Sequence, residues 1–215
     1  MKITILGGSG LIGMQLIKQA CADHYFTKIN VIVRRPLAFQ DPKINELVIN
    51  FDDLSSVIKG TIGDALICTL GTTKKKTPDK KCYRKIDLTY TLISAKGALE
   101  NGHKQVHLVS SIGANEKSSV FYPALKGEIE RLISDLSFES TFIYRPSILI
   151  GKRETARPLE WLSQRIFYVI NPLLIGALKK YRSISGEQVA KKIINELKKN
   201  KVGKHYFESN ELGTP

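Results

Sequence analysis

The chain is predicted to be an α/β protein built on a doubly wound parallel sheet with helices on both faces. Three observations carry that expectation. Short apolar runs recur along the chain, as in KITIL, ALICTL and QVHLVSS. Helix-like stretches separate them. A glycine-rich turn, GGSGLIG, joins the first strand to the first helix.

Taken in order, strands are expected at KITIL, INVIVRR, INELVIN, ALICTL, QVHLVSS and STFIYRPSILI. Helices are expected between them, near residues 11–22, 53–59, 83–101 and 123–135. From about residue 151 the alternation lapses. The stretch 151–187 reads as loop, helix and loop, an insertion placed to form a small C-terminal substrate lobe, which Trp161, Phe167 and Tyr168 are expected to pack, the alternative being that they line its pocket. A last helix is expected near 186–199, where Val189, Ile193, Ile194 and Leu197 form an apolar stripe. No repeat or linker interrupts the pattern, so residues 1–215 are expected to form one domain.

Composition narrows the class. Residues are 42% apolar and 25% charged, as in an ordinary globular protein. No apolar run has the length of a membrane span, and the amino terminus lacks the pattern of a secretory leader. Cys21, Cys68 and Cys82 form no CxxC pair and are too few for a disulfide framework, which points to the cytoplasm. The net charge of +13 is spread over solvated helix faces. The exception is TKKKTPDKKCYRK, with Lys74, Lys75, Lys76, Lys80, Lys81, Arg84 and Lys85. No array of stacking aromatics accompanies these charges, which argues against nucleic acid. They follow the fourth strand and would raise the local potential for an anionic cofactor.

Gly7, Gly10 and Gly13 make a GxxGxxG between a strand and a helix. The first glycine permits a tight turn, the second lets backbone approach a pyrophosphate, and the third allows close helix–strand packing. Gly8 and Ser9 keep the turn small, and helix amides would face the anion. No GK[ST] follows, which excludes a nucleoside-triphosphate loop. At the end of the second strand, where an NAD site places an acidic residue, stand Arg34 and Arg35. Guanidinium groups can bind a 2′-phosphate bidentately, so NADP(H) is expected rather than NAD(H). Asp52, after the third strand, is a candidate partner for the adenine.

Tyr122 and Lys126 form a YxxxK, a pattern that arises by chance in a chain with eight tyrosines. Its placement adds weight. Ser110 and Ser111 end the fifth strand, at the sheet edge where ligands of open α/β folds bind. Tyrosine and lysine four residues apart share a helix face. Pro123 could make Tyr122 a capping residue rather than an embedded one. His103 and His107 have helical metal spacing, but His107 falls in a strand, so no metal site is expected.

With these residues in order behind GxxGxxG, the chain resembles the short-chain dehydrogenase/reductase superfamily over nearly its whole length. The stretches GGSGLIG, VRRP, CTLGTT, LVSSIGANEKSSVFYPALKGEIE and YRPSILIGKRETARP are similar to those of atypical NADPH-binding members related to the Tat-interacting oxidoreductase-like proteins. The resemblance implies a Rossmann-like fold and cofactor contacts from Ser9, Gly10, Leu11, Ile12, Arg34, Arg35, Leu70 and Gly71. It further implies Tyr122 and Lys126 at the reactive end, Leu149 and Arg157 after the sixth strand, and pairing into homodimers. Many members carry an asparagine in the fourth helix, and Asp87 stands near that point here. In such a site Tyr122 would exchange a proton with a carbonyl substrate, and Ser111 or Ser110 would polarise the carbonyl. Lys126 would favour the phenolate and hold the nicotinamide ribose. A non-enzymatic NADPH-binding regulator is the alternative, and it would need neither Tyr122 nor Lys126.

Overall fold

The computed structural model describes residues 1–151, 174, 176–199 and 201–213. Its main sheet has seven parallel strands in the order β3-β2-β1-β4-β5-β6-β9. These are β1 (Lys2–Leu6), β2 (Lys28–Val33), β3 (Ile44–Val48), β4 (Ala65–Cys68), β5 (Gln105–Val109), β6 (Ser140–Arg145) and β9 (Gly203–Glu208). A separate pair joins β7 (Leu149–Ile150) to β8 (Ile184–Ser185). The helices are α1 (Leu11–Ala22), α2 (Leu54–Lys59), α3 (Lys80–Arg84), α4 (Tyr90–Glu100), α5 (Phe121–Ser134), α6 (Gly186–Leu197) and α7 (Ser209–Leu212).

The strands read as continuous apolar runs because alternate residues serve two cores. Ile3 and Ile5 of β1, with Ile29 and Val31 of β2, pack under α1 and α6, where Leu16, Ile17, Val189 and Ile193 are buried. Leu6, Ile32, Leu66, Cys68 and Leu108 face the other way, toward α2, α4 and α5. Their partners there are Leu54, Ile58, Ala95, Leu125 and Ile129. A sheet buried on both faces is the doubly wound arrangement expected from the sequence.

Four elements depart from expectation. The sixth strand does not run through to residue 150: β6 stops at Arg145, before Pro146, and β7 resumes at Leu149. Proline has no N–H for the ladder. The helix expected from residue 83 begins at Lys80 and passes through a π-helical turn, Lys85–Thr89, before α4. Helix α5 begins at Phe121, so Tyr122 lies inside its first turn rather than capping it. Pro123 is tolerated beside it because first-turn N–H groups have no intrahelical acceptor. The seventh strand, β9, was not anticipated.

Neighbouring β1 and β4 mark the point where strand order reverses, and the crevice of such folds opens outside their carboxyl ends. Gly7 sits there at φ +93°, and a Cβ on it would stand 2.8 Å from Thr69 Oγ1 and 2.9 Å from the Leu70 nitrogen. Among the described residues no helix is long and apolar enough to cross a membrane.

Candidate functional site

The site grows from the turn between β1 and α1. Gly10 N–H donates to the Gly7 carbonyl at 3.0 Å, closing the turn. A Cβ on Gly13 would lie 2.3 Å from the Gly7 oxygen and 2.8 Å from Gly8 Cα, so only glycine lets the helix sit this close to the turn. Gly10 differs, since a Cβ there would meet only the Gly7 oxygen, at 3.2 Å, and otherwise enter open space. Gly10 is the N-cap of α1, with no side-chain cap and no acidic residue in the first turn. The positive end of a twelve-residue helix is therefore left for an anion.

That turn floors a crevice of about 300 Å³, in which Gly7, Ser9 and Gly10 face Leu70 and Gly71. Arg34 and Phe51 wall one end, the guanidinium carbon 5.8 Å from the ring centroid. Thr72, Lys76 and Tyr90 complete it, and the sequence did not single out Thr72 or Tyr90. The β4–α3 loop signals its role only by following a buried strand at the switch point. Leu11 packs its side chain on Gly151 and Gly186, and Ile12 is buried in the core, which leaves their main chains as what they offer the turn.

The structure does not bring every expected residue to the crevice. Arg35 is exposed and outside the lining. Asp52 is turned to Lys85 Nζ at 2.6 Å and accepts from Tyr90 OH at 3.1 Å. The Lys85 hydrogen bond, with that of Tyr90, holds its carboxyl below the usual range. Leu149 is half-buried on β7 against the core. Arg157, with Trp161, Phe167 and Tyr168, lies outside the described residues.

Beyond Thr72 the chemistry changes. The Asp87 carboxylate, on the π-helical turn, accepts from Thr72 N–H through Oδ1 at 2.9 Å. Its Oδ2 meets Lys126 Nζ at 2.9 Å as an ion pair and takes no other partner among the described residues. Those side chains are 1% and 5% exposed. Burial opposes the Lys126 charge, but Asp87 and then Tyr122 outweigh it, raising its pKa above the ordinary lysine value. The ammonium therefore stays charged at neutral pH, 5.8 Å from the Tyr122 ring centroid. Tyr122 itself is exposed and lines a second cavity, of about 490 Å³, which shares Thr72 with the crevice. Tyr83 donates to the Thr72 carbonyl at 2.9 Å and meets the Phe121 and Tyr122 rings edge-on.

Ser110 and Ser111 follow β5 and are buried, and their hydroxyl oxygens have no partner among the described residues. They line neither cavity. His103 and His107 are held within the fold. His103 pairs with Thr4 Oγ1 and the Ala98 carbonyl, and His107 with Tyr144 OH at 2.8 Å. Burial pushes the His107 pKa down to about 3. No cluster of metal-ligating side chains occurs among the described residues.

No family model matches the chain. Curated relatives do. It is 36% identical over 169 residues to Protein HTATIP2 of Rattus norvegicus, covering 77% of this chain and 69% of that protein. It is 32% identical over 195 residues to Protein FMP52, mitochondrial, of Debaryomyces hansenii, covering 89% and 85%. Solved structures share the fold, among them the following two. MoeE5 in complex with UDP-glucuronic acid and NAD superposes with a TM-score of 0.72 at 15% identity, covering 96% of this chain and 75% of that one. Human epimerase family protein SDR39U1 with NADPH gives 0.67 at 17%, covering 97% and 74%. The cytoplasmic expectation is corrected by the FMP52 relatives, whose name places them in mitochondria. Cysteine content separates oxidising from reducing compartments, and it does not separate one reducing compartment from another.

Proposed function

The chain belongs to the family of the HTATIP2 and FMP52 proteins, atypical members of the short-chain dehydrogenase/reductase superfamily, and on that premise we propose that it is an NADP(H)-dependent oxidoreductase acting on a carbonyl compound. The observation that carries this reading is that the two cavities adjoin at Thr72. One has a glycine floor and Arg34 at its end, and the other has Tyr122 in its wall. The residues fit a dinucleotide: the turn leaves room above Gly10, and an uncapped helix end faces it. Arg34 offers a planar fork matched to a 2′-phosphate, and Lys76 adds a second cation to the crevice.

When bound, the dinucleotide supplies the hydride. The chain's part is to hold the carbonyl and move its proton. In the reducing direction the Tyr122 hydroxyl gives its proton to the carbonyl oxygen as that oxygen takes up charge, leaving an alcohol and a phenolate that solvent reprotonates. Lys126, fixed beneath the ring by Asp87, stabilises the phenolate through its fixed positive charge. Among the described residues, Ser110 and Ser111 carry unpartnered hydroxyls at the end of β5 but lie outside the lining of both cavities, and no step is assigned to them. Many members of the superfamily carry an asparagine near this point, and here Asp87 anchors the lysine directly.

The test is loss of reduced-nicotinamide absorbance with a panel of aldehydes and ketones, for the native protein and Tyr122→Phe. The reading expects turnover that falls by about 10²–10⁴ in the variant. NADPH binding without turnover, unaffected by the substitution, would favour the regulatory alternative.

A further inference from the structure

The basic segment after β4 is divided by the structure into groups with different duties. Arg84 binds Glu128 and Lys85 binds Asp52, while Lys76 lines the crevice. Lys74 and Lys80 instead line the second cavity, beside Tyr122. Among the described residues, neither forms an ion pair with a carboxylate and no acidic residue lines that cavity. Asp79, next in sequence to Lys80, is committed to capping α3 through Cys82 N–H at 2.7 Å. The Lys80 ammonium stands 5.6 Å from the Phe121 ring centroid, at the edge of an apolar wall of Pro78, Tyr83, Val120 and Phe121.

From this juxtaposition we infer that the substrate is an amphipathic carbonyl compound: an apolar, ring-sized body carrying one anionic group. This rests on the oxidoreductase reading and names the substrate class of the same site. The body lies against the Tyr83 and Phe121 rings, whose edge-to-face arrangement at 5.6 Å suits a flat partner. The anionic group meets Lys74 and Lys80, and the carbonyl reaches Tyr122. A small hydrated anion gains nothing from the apolar wall. A neutral hydrophobe leaves both ammonium groups unused, so the two features together select molecules that have both.

The probes are 4-formylbenzoate and its methyl ester, which differ in charge and hardly in shape. Calorimetry on protein saturated with NADP⁺ reads binding with no reaction. The native protein is expected to bind the carboxylate about tenfold more tightly than the ester. Lys74→Met/Lys80→Met should erase that preference with NADP⁺ affinity unchanged, and Lys81→Met, outside the cavity, should keep it. Equal affinities in the native protein, a preference that survives the double substitution, or no binding of either aldehyde overturns the inference. The same titrations without dinucleotide separate the two claims. Failure to bind NADP⁺ with the carboxylate preference intact removes the cofactor reading and leaves the cavity assignment standing.

Discussion

Replacing Asp87 by alanine should be among the most damaging single changes available at the site. The substitution strips the partner from Lys126, whose side chain is 5% exposed, and from the Thr72 N–H. Solvent cannot rescue an ammonium at that depth. Breaking a buried pair by removing one partner costs about 3–5 kcal/mol, because the remaining charge is left uncompensated. For a chain of this size that corresponds to a fall in Tm of roughly 6–20 °C. Asp87→Asn keeps an acceptor for Thr72 N–H and should lose less, and adding Lys126→Met to it should recover part of the loss by removing the stranded charge. Differential scanning calorimetry and urea titration read all of these. An Asp87→Ala variant within about 1 kcal/mol of native would refute the reasoning, since an ion pair removed that cheaply is not buried.

Other consequences can be measured alongside. Gly13→Ala should destabilise the protein, because its Cβ meets backbone at 2.3 Å. Gly10→Ala should fold normally and lose dinucleotide binding, because its Cβ enters the crevice. Circular dichroism with a binding titration separates them, and normal NADPH affinity in Gly10→Ala would contradict the assigned floor. His107 is held neutral by burial with its pKa near 3, while in the unfolded chain it titrates at its ordinary 6.5. The unfolded state therefore binds the extra proton, so stability is undiminished above pH 6.5 and falls as pH drops below it, by up to about 1.4 kcal/mol per pH unit. His107→Gln should flatten that acid limb, and an unchanged slope between the two proteins would remove His107 as its source. Lys126 has the opposite sense. Its raised pKa gives stability that is full below the ordinary lysine value and lost as pH rises through the folded one, so Lys126→Met should abolish that alkaline decline.

Much of the fold was legible because most strands serve two cores. β1, β2, β4 and β5 are buried over nearly every residue, so each reads as a plain apolar run. β9 escaped for the converse reason: on this edge strand Phe207 alone is buried, and Lys204 and Tyr206 are exposed. The glycine turn was legible since Gly7 and Gly13 each have a steric reason that only glycine meets, while Gly10 leaves room over the crevice. Side-chain direction was not. Arg34 and Arg35 are adjacent, yet the first lines the crevice and the second does not. Asp52 was expected at the adenine, but Lys85 and Tyr90 reach it from the next layer of helix, a contact that no local pattern encodes. The Asp87–Lys126 pair likewise joins two helices. Spacing linked Lys126 to Tyr122, while its partner emerged only from packing.

The proposed chemistry requires that the crevice distinguish a 2′-phosphate from a 2′-hydroxyl. The direct measurement is the ratio of NADPH to NADH affinity, by fluorescence titration, in the native protein, Arg34→Ala and Arg35→Ala. A native preference of at least about tenfold for NADPH is expected, abolished in Arg34→Ala and largely kept in Arg35→Ala. Equal native affinities, or a preference that survives loss of Arg34, would contradict it.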